Sequence, residues 1–103
     1  ILCLGEPRKY AGEGNSRADI GLPGMQTELA LQVASVNPNT VAVTFSGRPL
    51  AIPELDANIP AILHMWMPGT EGGNAFANFT QFISAKGELY SNAVNYLKSK
   101  ELM

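Results

Sequence analysis

The chain has 103 residues, 46% of them hydrophobic and 16% charged, with a formal net charge of −2. That is one domain or a piece of one, with enough apolar material for a core, which excludes a disordered chain. Seven scattered Lys and Arg lack the concentrated basic face that nucleic acid requires, and the longest apolar run, "AILHMWM", is too short to span a bilayer and is interrupted by His64.

The chain opens on "ILCLG", a short apolar run that predicts a fully buried strand ending at Gly5. Cys3, the only cysteine, allows no internal disulfide or thiolate metal site, and in this run it is expected to be a small buried hydrophobe. No secretory leader is visible, but an opening in mid-strand predicts that further sequence precedes Ile1 in the full protein, so the compartment stays open.

Residues 6–24 follow, rich in Gly, Pro, Asn and Asp, and their length and composition predict a functional loop rather than a connector. In "MQTELALQVASVN" the period becomes helical, with Met25, Leu29, Val33 and Val36 expected on the buried face and Asn37-Pro38-Asn39 as the stop. "TVAVTFSG" predicts a second buried strand. "RPLAIPELDANIP" carries three prolines and predicts at most one helical turn, and "AILHMWM" predicts a third strand, ended by Pro68-Gly69. "TEGGNAFANFTQFI" is expected to be helical, with Ala75, Phe79 and Phe82 on one face. The tail "GELYSNAVNYLKSKELM" places Leu89, Ala93, Tyr96 and Leu97 along one helical stripe, which predicts an amphipathic helix that docks on the domain, on a partner or on a second copy.

Strands alternating with helices predict an α/β fold with a mainly parallel sheet flanked by helices, an incomplete three-layer sandwich. The expected organisation is an α/β sandwich over 1–83 and a divergent helical segment over 84–103. In such a sheet ligands bind beyond the carboxyl ends of the strands. The loops leaving those ends span 6–24, 46–50 and 68–73, and they bring Glu6, Glu13, Arg17, Asp19, Arg48 and Glu71 forward as candidates.

Each candidate has a structural reading beside a chemical one. Glu13 lies between Gly12 and Gly14, so its carboxylate is unobstructed; it is either a solvated loop glutamate or a general acid. Glu6 is expected to bond loop amides or a neighbouring arginine. Arg17 and Asp19 pair with each other or orient the loop, and Arg48 bridges to Glu71 or Glu6. Glu71 is expected to open a helix, where a carboxylate is favoured by the free amides. His64 has no second His or Cys beside it and is expected to be a hydrogen-bonded core histidine rather than a metal ligand. Trp66 is a sugar platform or, more commonly for a strand-end tryptophan, core or interface packing. Asn78-Phe79-Thr80 is a glycosylation sequon whose helical setting counts against use. Neither a nucleophile elbow nor a phosphate loop is present, and "GEPRKYAGEG" does not satisfy the dinucleotide pattern.

Three stretches, "LGEPRKYAGEGNSRADIGLPGMQTEL", "NPNTVAVTFSGRPLAIPEL" and "AILHMWMPGTEGGNAFAN", together resemble the second domain of family-three glycoside hydrolases of the β-glucosidase group, in order and spacing, from Ile1 to Asn78. The resemblance implies a retaining β-glucosidase-like glycosidase. Its (β/α)8 barrel would supply an aspartate nucleophile, and its sandwich domain would reach a loop over the sugar, with Glu13 at the acid/base position. It implies a β-linked glucoside or short oligosaccharide as substrate, no cofactor and no metal; it names no substrate-binding residue. With no barrel in these 103 residues, the chain alone is expected to be inactive. Beyond Asn78 the sequence departs from the family pattern and keeps only an echo in "AKGEL". The rival readings are a non-catalytic α/β interaction module and a stand-alone carbohydrate-binding module using Trp66 and Glu71.

Overall fold

The structure, a computed structural model, describes residues 1–85, with side chains through residue 79. The predicted helical tail and the side chain of Phe82 lie outside the described residues. The chain divides into two compact units, Ile1–Met67 and Pro68–Met103.

In the first unit, strand β1 (Leu2–Gly5), helix α1 (Gln26–Val36), strand β2 (Val41–Phe45), helix α2 (Pro53–Asn58) and strand β3 (Ala61–Trp66) follow one another. The three strands form a parallel sheet in the order β1-β2-β3, so the expected α/β class holds. Register aligns Leu2 with Ala42 and Ile62, and Leu4 with Thr44 and His64, which puts these six positions on one face. That face carries the core: Leu4 and Ala42 pack with Ala30 of α1, Leu55 of α2 and Ile59, joined by Leu2, Leu22, Ala34, Ile52 and Ile62. Pro53 stands in the first turn of α2, where its missing N–H costs nothing. The element is a six-residue helix, longer than the single turn expected.

The buried face of α1 is not the one its periodicity suggested. Met25, Leu29 and Val36 are 72%, 50% and 81% exposed and Val33 is half-buried, while Ala30 is fully buried and Ala34 half-buried. The small alanines allow close approach to the sheet, and Leu22, just before the helix, supplies bulk to the core. Asn37 ends the helix as expected. Its N–H donates to Val33 O at 3.0 Å, and its Oδ1 accepts from Asn39 N at 2.9 Å.

Cys3 also departs from expectation, being exposed. It sits on an edge strand, in register with Val43 and Leu63, on the face away from α1 and α2. Strand β1 is therefore only partly buried, with Leu4 and, less completely, Leu2 turned inward.

At the end of β1, Gly5 has φ 149° and lies so close to β2 that a Cβ would stand 2.0 Å from Phe45 O. The Gln26 side chain closes the outer edge here: its Oε1 accepts from Gly5 N at 2.7 Å and its Nε2 donates to Gly5 O at 3.0 Å. Gly5→Ala is expected to cost about 3 kcal/mol or more by driving β1 from β2. A thermal midpoint equal to that of the parent protein would contradict this.

The second unit is described from Pro68 to 85. Helix α3 (Gly72–Ala85) begins one residue after Glu71, whose carbonyl accepts from Ala75 N at 2.9 Å. The helix forms as expected; on the face named from sequence, Ala75 and Phe79 are exposed, and Phe76 is half-buried.

Candidate functional site

All three strands run parallel and end at the same edge, at Gly5, Phe45 and Trp66. The segments that leave them meet at Gly47, where a Cβ would stand 3.8 Å from Ala11 Cβ and 4.0 Å from Met67 Cγ. Topology thus draws together positions 11 and 47, from the loops after β1 and β2, with Met67 just past the end of β3.

The long loop is anchored by a buried carboxylate. Glu6 follows β1 directly, its N–H donates to Phe45 O at 3.0 Å, and its side chain is fully buried. A buried carboxylate is tolerable only when paired, and two guanidinium groups converge on its Oε1. Arg17 Nη1 donates at 2.6 Å and Arg48 Nε lies at 3.2 Å. Glu6 Oε2 is buried without a hydrogen-bond partner among the described residues.

Each arginine then reaches outward to the loop backbone. Arg48 Nη2 donates to Tyr10 O at 2.5 Å and more weakly to Asn15 O at 3.5 Å, so it holds both sides of residues 11–14. Arg17 Nη2 donates to Gly21 O at 3.4 Å, and its guanidinium lies 4.9 Å from the Tyr10 ring centroid, within cation–π range. Ser46 Oγ donates to Arg48 O, closing the turn that presents Arg48. The clamp therefore couples the loops after β1 and β2 through one carboxylate.

Between the clamped points the chain makes a tight projection. A 3-10 turn (Arg8–Tyr10) leads into it, Asn15 N donates to Gly12 O at 3.3 Å, and Asn15 Nδ2 donates to Ala11 O at 2.9 Å. Gly12 and Gly14 have φ 95° and 79°, and nothing lies within 4 Å of a Cβ built at either. Glycine is needed there for the backbone conformation rather than for space. Glu13 sits at the tip, exposed, with no hydrogen-bond or ion-pair partner among the described residues. Its carboxyl is free to meet a group brought to it.

The remaining candidates serve local structure. Asp19 does not pair with Arg17; its Oδ1 accepts from Gly21 N at 2.8 Å, because the loop bends back there and Arg17 is engaged by Glu6. Ala51 N donates to Ile20 O at 2.9 Å, tying the end of the loop to the segment before α2. Of the two partners considered for Arg48, the structure gives Glu6. Glu71, in the second unit, accepts from Asn74 Nδ2 at 2.6 Å through its Oε2, at the start of its own helix.

His64 Nδ1 is hydrogen-bonded to Thr44 Oγ1 at 2.8 Å, and His64 Nε2 is buried without a partner among the described residues. The His64 and Trp66 rings meet edge to face, with centroids 4.4 Å apart. Trp66 itself is 51% exposed, so the described residues do not take it into their core. Among the described residues no three His, Cys, Asp or Glu side chains are arranged to hold a metal ion. Tyr10, Asn15 and Gln26 support the site but were not singled out from sequence. Only Asn15 carried a local signal, as an asparagine directly after a glycine.

The chain as a whole is similar to known proteins. The model of the glycosyl hydrolase family 3 C-terminal domain matches residues 1–80. A β-glucosidase of Rhizobium radiobacter is 42% identical over 78 residues, covering 76% of this chain and 9% of that protein. A β-xylosidase of Formosa agariphila is 40% identical over 78 residues, covering 76% of this chain and 11% of that protein. Among solved structures, the β-glucosidase of Listeria innocua in complex with glucose superposes with a TM-score of 0.73 at 39% identity, covering 82% of this chain and 11% of that one. The chain thus spans about a tenth of the length of these relatives.

Proposed function

The chain belongs to the glycosyl hydrolase family 3 C-terminal domain family, and from that membership we propose that it is part of a retaining β-glucosidase-like hydrolase in which Glu13 is the general acid/base. The observation that carries this reading is the presentation of Glu13: an exposed, unpartnered carboxyl between two left-handed glycines, on a loop clamped by Glu6, Arg17 and Arg48. Residues 1–83 are the sandwich part in this reading, and 84–103 a divergent extension.

In the first half-reaction a carboxylate outside these 103 residues, the barrel aspartate that the resemblance implies, attacks the anomeric carbon. The bond to the leaving oxygen breaks, and Glu13 gives that oxygen its proton. In the second half-reaction Glu13, now a carboxylate, takes a proton from water as the water attacks the glycosyl ester. Retention requires the two carboxyl groups about 5–5.5 Å apart. A projection with glycine on both sides suits a carboxyl that must reach that distance from a separate domain. The clamp limits the freedom the glycines would otherwise give it, since misplacing a catalytic group by about 1 Å is costly. Glu6, Arg17, Asp19 and Arg48 act on the loop and not on the sugar, and Glu71 acts on its own helix. A β-linked glucoside or short β-oligosaccharide is the substrate class, because the relatives are named for β-linked glycosides and glucose sits in one of their structures.

The complete polypeptide containing this segment should release glucose from an aryl β-glucoside with the β-anomer formed first, read by proton NMR. First release of the α-anomer would reject the retaining assignment. The purified 103-residue chain should show no turnover of the same substrate, because it lacks a nucleophile facing Glu13. Clear turnover by that chain would contradict the division of labour.

A further inference from the structure

Strand β3 ends irregularly. Thr44 pairs with His64, but Phe45 pairs with Trp66, so Met65 is an extra residue and the register shifts. Parallel sheets seldom carry such bulges, and a bulge re-aims the side chain that follows it. Trp66 then takes φ 58°, alone among the described non-glycine residues in a left-handed conformation. For a bulky residue that conformation costs about 1–3 kcal/mol, and it persists only where surrounding structure imposes it. The support is visible: His64, fixed by Thr44, meets the indole edge to face. These devices do not bury the indole. They hold it half exposed, beside Met67, which is 50% exposed.

Trp66 ends β3 at the edge of the sheet where β1 and β2 also end. Met67, the next residue, and Ala11, two residues before Glu13, both come within about 4 Å of a Cβ built on Gly47. The exposed aromatic therefore stands at the edge from which the Glu13 projection rises. A general acid must lie against the oxygen of the departing group, so an exposed aromatic on the sheet edge that carries the acid loop is placed to serve the leaving-group half of the substrate. A β-linked pyranose has an apolar C–H face that suits an aromatic ring, and sugar sites take much of their apolar contact from such rings.

Resting on the β-glucosidase-like reading above, we infer that Trp66 is a platform on which the leaving-group sugar of a β-linked disaccharide stacks. Trp66 adds nothing to substrates whose leaving group is a single atom.

The test compares cellobiose with β-glucosyl fluoride in the complete enzyme. Trp66→Gly removes the ring while glycine accepts φ 58° without strain, so the fold is retained and the thermal midpoint stays near the parent value. The expected result is a kcat/KM on cellobiose about tenfold lower, with the fluoride changed less than twofold. Trp66→Phe keeps an aromatic face and should fall between the two. Equal loss on both substrates would assign Trp66 to packing against the rest of the protein and overturn the platform, and so would loss on neither. Replacing Glu13 in a protein whose Trp66 is intact tests the acid separately. The cellobiose-to-fluoride selectivity of Trp66 variants decides the platform whatever the Glu13 result.

Discussion

Glu13→Gln in the complete enzyme is expected to lower kcat/KM on cellobiose and alkyl glucosides by about 100- to 10,000-fold, the range for a lost general acid. Glutamine keeps the size and exposure of the side chain but has no proton to give. The alkoxide of a sugar or alkyl group leaves poorly unless protonated as the bond breaks, so these substrates bear the full loss. Dinitrophenolate leaves without assistance, so kcat/KM on dinitrophenyl glucoside should remain near the parent value. Its kcat should still fall, because water attacking the glycosyl ester loses the same carboxylate as base. The expected signature is a burst of dinitrophenolate followed by slow turnover. A uniform reduction on all substrates would point to lost geometry, and an unchanged rate on cellobiose would remove the acid assignment. Since Glu13 has no partner among the described residues, the substitution breaks no contact there, and the thermal midpoint should not move.

Glu6→Ala is expected to have the largest effect on stability. The carboxylate is fully buried, and the side chains of Arg17 and Arg48 that meet it are only 16% and 23% exposed. Removing it leaves two poorly solvated guanidinium groups without their anion, at a cost of about 3–5 kcal/mol. Because the pair is buried, added salt should do little to the difference between variant and parent. Activity should fall as well. Arg48 holds the carbonyls of Tyr10 and Asn15 only while Glu6 holds Arg48, and the Glu13 projection is strung between those carbonyls. The loss should be heavier on poor leaving groups than on dinitrophenyl glucoside, in the same sense as for Glu13→Gln but smaller. A Glu6→Ala enzyme with the parent's thermal midpoint would show that the two arginines find water or other acceptors, and that the carboxylate does not anchor the loop.

Local pattern alone determined a good deal about this protein. Continuous apolar runs at "ILCLG", "TVAVTFSG" and "AILHMWM", with a helical period between the first two, specified an α/β parallel sheet. A strand in such a sheet needs apolar residues on successive positions, whatever its neighbours are. The glycine-flanked Glu13 was legible for a similar reason, since the conformational freedom of glycine is a property of the residue itself. The family motifs likewise lie along the chain in plain order.

Tertiary structure decided which surfaces meet. The alanine side of α1 turned inward because a helix lying close on a sheet needs small residues there, and the period of Met25, Leu29 and Val36 does not report that distance. Cys3 became exposed because β1 is an edge strand, and the apolar run carries no mark of sheet order. Arg17 chose Glu6 over Asp19, and Arg48 reached Tyr10 across 38 positions. The bulge at Met65 that turns Trp66 outward exists only as a mismatch between β3 and β2. Each of these outcomes is set by contacts between residues distant along the chain, and such contacts acquire an energy only once the backbone has brought the partners together.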